Sequence, residues 1–188
     1  MERQNDGDQT FPAVLAAARA GEPWALGRIY ASLAPAVASL FRVQGAAEPE
    51  DLTSEVFVGV LRKIETFHGD EAAFRSWVFT IAYRRLVDER RRRARRPPTV
   101  SLEHRPDVPA TDDVAEEVER ALATERVRAL CERLVPGQRD VLLLRLVGRL
   151  TVDEVAGLLG RSRRAVKALQ RRGLATVVEL LEREGVAL

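Results

Sequence analysis

The chain has 188 residues, 46% of them hydrophobic and 31% charged, which is enough for one or two packed domains under a largely ionic surface. Its single cysteine, Cys131, excludes an internal disulfide and a thiolate metal site. His68 and His104 are too far apart in sequence to read as a metal pair, so no metal and no cofactor are expected. The net charge of +2 is uninformative alone, but arginine clusters at Arg90–Arg96 and Arg161–Arg172 with acid between Asp107 and Glu119, as if a polyanion were held at two places.

In chain order, Met1–Asp8 is polar and lacks the apolar core of a leader. Apolar residues then recur three or four apart with no β-branched alternation, so an all-α fold is expected. A first helix runs Phe11–Ala20, with Pro12 tolerated in its first turn. Gly21, Glu22 and Pro23 break it, and Trp24–Val43 continues, with Pro35 a possible kink. Gln44–Pro49 reads as a loop. Glu50–Phe67 reads as one amphipathic helix, with Leu52, Val56, Val60 and Ile64 at four-residue steps. His68-Gly69-Asp70 is a turn, and Ala72 to about Arg95 is a helix that starts aromatic and ends as an arginine run. No apolar run approaches the length of a membrane span, so no membrane span is expected and the cytoplasm is the expected location.

Within that last helix, Phe74, Trp77, Phe79 and Tyr83 are interleaved with Arg75, Arg84 and Arg85. Aromatic faces stack on unpaired bases while arginine holds the backbone, as in single-strand binders. Phe79 reads as core. Trp77 and Tyr83 fit either a core or a base-stacking role.

Pro97-Pro98 stops the helix, and the Pro-rich, apolar-poor stretch to Asp113 has the composition of a flexible linker. Helices resume at Val114–Leu134, then Gln138–Val147, apolar on most sides and so expected to be deeply buried, then Val152–Leu159 and Arg163 to about Glu184. Cys131 falls in the apolar pattern and reads as a buried small hydrophobe.

Thr151 to Arg172 fits a helix-turn-helix. Thr151-Val-Asp-Glu154 is a capping box. Gly160 sits where the turn needs a left-handed residue, and Ser162 caps the next helix. With Val166 and Leu169 inward, Arg163, Arg164, Lys167, Gln170 and Arg171 face out, the residue types that read guanine, adenine and phosphate in a major groove. No carboxylate pair has a catalytic partner nearby, so no enzymatic constellation is expected.

Taken together, Glu50 to Phe57, Phe74 to Ala82 and Leu86-Val87-Asp88 resemble region 2 of the sigma-70 family, and Leu134 to Arg145 with Thr151 to Arg172 resemble region 4. The short spacing between them is similar to that of the extracytoplasmic-function (ECF, group IV) class. The resemblance implies two small helical domains, 11–96 and 114–188, joined by a linker at 97–113. It implies that Asp51, Leu52, Glu55, Val56 and Phe57 dock on RNA polymerase core. It implies that Phe67, His68, Gly69, Asp70, Trp77, Thr80, Arg84, Arg85, Arg91 and Arg92 hold the melted −10 element of promoter DNA, and that Arg163, Arg164, Lys167, Ala168, Arg171 and Arg172 read the −35 element. An anti-sigma factor is a further implied partner. Ser54, Arg84 and the pair Ala168-Leu169 depart from the residues usual in the family at those places. The alternative to a sigma factor is a standalone helix-turn-helix transcription regulator.

Overall fold

The computed structural model describes residues 10–95 and 125–185, and every regular element among them is helical. The expected linker at 97–113, the residues 114–124, Arg96 and the acidic cluster lie outside the described residues.

Prolines set several helix starts, because a residue without an amide proton is harmless in a first turn. Helix α1 is Phe11–Arg19, α2 is Pro23–Val43 and α3 is Pro49–Leu61, each with a proline in its first two positions. A 3-10 turn, Ile64–Thr66, follows, and α4 is Glu71–Arg95. In the second half α5 covers residues 125–132, α6 is Pro136–Leu146, α7 is Val152–Leu159 and α8 is Arg163–Arg183.

The first half is a bundle in which α2 packs on α1 and α3, and α3 on α4. Its centre is Leu40, Phe41, Val56, Val60, Phe74, Val78, Phe79 and Leu86, all at most 1% exposed. Each such side chain contributes about 1.5–3 kcal/mol by leaving water. In the second half α8 packs on α6 and α7 around Val141, Leu144, Val155 and Val166. The two centres merge into one continuous apolar cluster, because α6 and the turn after it lean on α4.

Three expectations need correction. The helix expected over Glu50–Phe67 ends at Leu61, and the tighter 3-10 turn that replaces it keeps Ile64 buried while swinging Phe67 beneath Phe74 and Trp77. Helix α6 is not buried all round, since Leu146 at its end is 61% exposed. And α2, with 21 residues and a mean hydropathy of 1.2 over its most apolar window, is long and apolar enough to cross a membrane by length and composition. Arg28, Ser32 and Ser39 interrupt its apolar runs without lowering the average much, and here Ala25, Ile29, Leu33, Val37 and Phe41 of α2 form bundle core.

Candidate nucleic-acid interface

The helix-turn-helix is built as its capping residues dictate. The Thr151 hydroxyl accepts from the Glu154 amide at 3.2 Å, and the Glu154 carboxylate accepts from the Thr151 amide at 2.6 Å. Helix α7 ends at Gly160, whose φ of 60° a side chain would strain. Ser162 then caps α8 by accepting from the Ala165 amide at 3.2 Å. Val166 is fully buried and Leu169 packs against the core. This leaves Arg163, Arg164, Lys167 and Arg171 exposed on one strip of α8, at the spacing that repeats along a helix face. Ala168 is half-buried at the border of that strip, and Arg172 is exposed just beyond it. Arg163 is held by Asp153 of α7 at 2.7 Å. Gln170, expected to face out, is half-buried and accepts from Arg145 Nε at 3.3 Å. Arg145 also donates to the Leu150 carbonyl, so one guanidinium ties α6, the following turn and α8 together.

On α4, Trp77, Thr80, Arg84 and Arg91 share one strip by their spacing. Trp77 and Thr80 are half-buried, and Arg84 and Arg91 are exposed. Trp77 lies 5.2 Å from Phe67 and 5.6 Å from Phe74, ring centre to ring centre, which braces one face of the indole and leaves it partly open. The loop His68-Gly69-Asp70 is exposed at the start of α4. The Asp70 carboxylate caps that start by accepting from the Ala73 amide at 2.8 Å. A Cβ at Gly69 would lie 2.9 Å from both Ala73 Cβ and the Phe67 ring, so the loop needs glycine there.

Other expected contacts are displaced. The Phe67 side chain is buried rather than presented in the loop, and its carbonyl accepts from Arg19. Arg85 turns toward α3 and pairs with Glu55 at 3.6 Å, and Arg92 follows it on that side of the helix. Tyr83, left open between stacking and core, is buried, and its hydroxyl donates to Asp140 of α6 at 2.8 Å. Arg90 and Arg93, from the arginine cluster expected to hold a polyanion, are engaged by the end of α2. Arg90 donates to Gln44 Oε1 at 2.6 Å and Arg93 to the Gly45 carbonyl at 3.0 Å.

On α3, Asp51 and Glu55 are exposed, but Leu52, Val56 and Phe57 are buried in the bundle and cannot themselves touch a partner. The outer strip instead reads Asp51, Ser54, Glu55, Val58, Leu61 and Arg62, with Val58 47% and Leu61 38% exposed. These two apolar residues were missed. The signal was present in their spacing, which follows Asp51 and Ser54 rather than Leu52 and Val56.

Cys131 is buried, and burial pushes its thiol pKa up against the charge of Arg139. Among the described residues no cluster of His, Cys, Asp and Glu is placed to hold a metal.

Comparison with known proteins places these surfaces in context. Sigma-70 region 2 matches residues 29–96, and Sigma-70, region 4 matches residues 124–177. The chain is 36% identical over 174 residues to the ECF RNA polymerase sigma factor BldN of Streptomyces coelicolor, covering 87% of this chain and 63% of that relative, so it spans less than two thirds of BldN. It is 32% identical over 140 residues to the ECF RNA polymerase sigma factor ShbA of Streptomyces griseus, covering 71% of each. Among solved structures, CnrH in complex with the cytosolic domain of CnrY matches with a TM-score of 0.62 at 25% identity, covering 90% of this chain and 96% of that one. Two sigma-70 regions in this order, with ECF sigma factors among the relatives it matches over most of its length, place the chain in the sigma-70 family of RNA polymerase sigma factors, in its ECF class.

Proposed function

We infer that the chain directs core RNA polymerase to promoter DNA and promotes its melting, acting by binding and catalysing no reaction itself. The observation that carries this is the coexistence, on one chain, of a capped helix-turn-helix with a basic outer strip and a second helix whose strip combines Trp77, Thr80, Arg84 and Arg91. The first suits an intact major groove and the second suits an unpaired strand.

In this reading residues 11–96 form the polymerase- and −10-binding domain, 97–113 the tether and 114–188 the −35-binding domain. Arg163, Arg164, Lys167 and Arg171 meet the −35 element, with Ala168 and Arg172 at the edge of the contact. His68, Gly69 and Asp70, with Trp77, Thr80, Arg84 and Arg91, receive the −10 strand. Extruding a base costs a few kcal/mol of stacking, and the open face of Trp77 supplies a surface that offsets it. Asp51 and Glu55, joined by Val58 and Leu61, face the polymerase, while Leu52, Val56 and Phe57 support that surface from beneath. Each domain binds weakly alone, and polymerase makes the second contact intramolecular. The chain works in the cytoplasm. The solved relative CnrH is held by the cytosolic domain of CnrY, and a comparable anti-sigma partner is proposed here.

A standalone duplex-binding regulator would leave the α4 strip and the apolar patch on α3 without an occupant. The deciding experiment is run-off transcription with core polymerase on a library of promoters. Stimulation that disappears with Trp77→Ala is expected, and no stimulation on any template overturns the reading.

A further inference from the structure

The first turn of α8 is crowded with positive charge. Arg163 and Arg164 are its first two residues, Arg161 stands just before the Ser162 cap, and the turn contains no acid. The helix dipole adds a partial positive charge at the same end, so cations are poorly placed there. The carboxylate that answers them comes from the other helix of the motif. Asp153, in the first turn of α7, brings Oδ1 to 2.7 Å from Arg163 Nε. Among the described residues no ion pair joins Arg164, Lys167, Arg171 or Arg172 to an acid, so Arg163 is the tethered cation of the strip.

Stability does not account for this pair. The two side chains are 68% and 61% exposed, and an ion pair so open to water contributes little to folding. Asp153 also suits the positive start of α7 without any partner. Beside a strip that meets DNA, a carboxylate weakens the general attraction to phosphate. What the pair supplies in return is orientation. A free arginine has many rotamers to lose on binding, and one already held in place loses fewer. Held through Nε, the guanidinium keeps its two Nη atoms at the far edge, a fork that can read O6 and N7 of guanine.

We propose that Asp153 is a specificity-determining positioning residue: it pins Arg163 so that this arginine reads a guanine of the −35 element, while Arg164, Lys167 and Arg171 supply sequence-blind attraction to phosphate. The inference rests on the −35-binding reading above and adds to it a division of labour along α8. Asp153 touches no base. It narrows the choice of sequence through Arg163, and it does so at some loss of affinity for DNA in general.

The test uses the full chain bound to core polymerase and a library of duplexes randomised over the promoter region. Sequencing the bound fraction gives the base preference at each position, and labelled duplexes of enriched and scrambled sequence give affinities. The forms compared are wild type, Asp153→Ala, Arg163→Ala and the double variant. Arg163→Ala is expected to flatten the preference at one position, which marks the base pair it reads. Asp153→Ala is expected to lower the preference at that same position by about tenfold, within what one bidentate contact discriminates. Other positions stay as they were, and scrambled duplex binds no more weakly than to wild type. In the double variant the loss of Asp153 adds nothing to the loss of Arg163. A preference unchanged by Asp153→Ala overturns the proposal, and so does Arg163→Ala without effect at any position. Equal weakening of enriched and scrambled duplex by Asp153→Ala also overturns it, since that is the mark of a carboxylate serving α7 alone. A wild type that enriches no sequence removes the −35-binding reading as well. Circular dichroism checks that the variants fold. Should Asp153→Ala not fold, Asp153→Asn, which keeps a polar group at the helix start without the charge, decides.

Discussion

Glu154 serves the start of α7 and the contact with α4 at once. Burial disfavours its charged form, but hydrogen bonds from the Thr151 amide, the Ser76 hydroxyl and the Thr151 hydroxyl, with the charge of Arg145, more than offset that and hold its carboxyl below the ordinary glutamate range. A carboxyl whose pKa is depressed on folding contributes stability that is complete above its unfolded pKa and lost as pH falls through the folded value. Denaturant titrations from neutral pH downward are therefore expected to show the wild type losing stability on the acid side. In Glu154→Gln, which keeps the capping geometry without the charge, that part of the slope flattens. Ser162 has a simpler role, since its hydroxyl answers one orphan amide of α8. Ser162→Ala is expected to cost about 1 kcal/mol, read as a fall in Tm of about 2–4 °C. Both roles were legible in the sequence, because a capping box and an N-cap are local and their chemistry is complete within four residues.

At the scale of the helix, legibility depends on which side of an element is in question. The prolines at the starts of α2 and α3 and the glycine that closes α7 marked those ends to within a residue, because those effects act on the backbone of the residue itself. The faces of α3 and α4 were read less well. Leu52, Val56 and Phe57 were given to a partner although they fill the bundle, and Val58 and Leu61 were overlooked. A run with apolar residues on more than one side does not say which strip meets its own chain and which meets another. Helix α4 has the same ambiguity. Tyr83 and Arg75 look like members of the strand-binding strip until α6 is placed against them, and no local pattern announces a contact with residues more than fifty positions away. Two outcomes follow at this scale. Val58→Glu adds a charge to the outer strip of α3 without touching the core, so it should leave Tm unchanged and weaken association with core polymerase by about tenfold or more, about 1.4 kcal/mol, measured by titration with labelled chain. Lys167→Ala removes one exposed cation from α8 and should weaken duplex binding across sequences, lowering the log–log salt slope by about one.

For the molecule as a whole, one apolar cluster runs from Val14 in α1 to Val166 in α8. Two domains that share a core unfold together, so calorimetry on the free chain is expected to give a single transition whose calorimetric and van't Hoff enthalpies agree. Two separated transitions in the wild type would mean that the bundles melt independently. The sequence displayed the two-part plan, through the prolines after Arg96 and the change of charge, but not the closure of one part on the other, since that depends on three-dimensional complementarity around Gly148. The short first helix has a consequence out of proportion to its length. Arg19, the last residue of α1, donates to the carbonyls of Ile64 and Phe67, so the helix that precedes the matched region fastens the turn on which His68 and Gly69 stand. A fragment trimmed to begin where the family match begins, at Ile29, would retain the whole of the region 2 match and lose the clasp that gives the His68-Gly69 loop its shape.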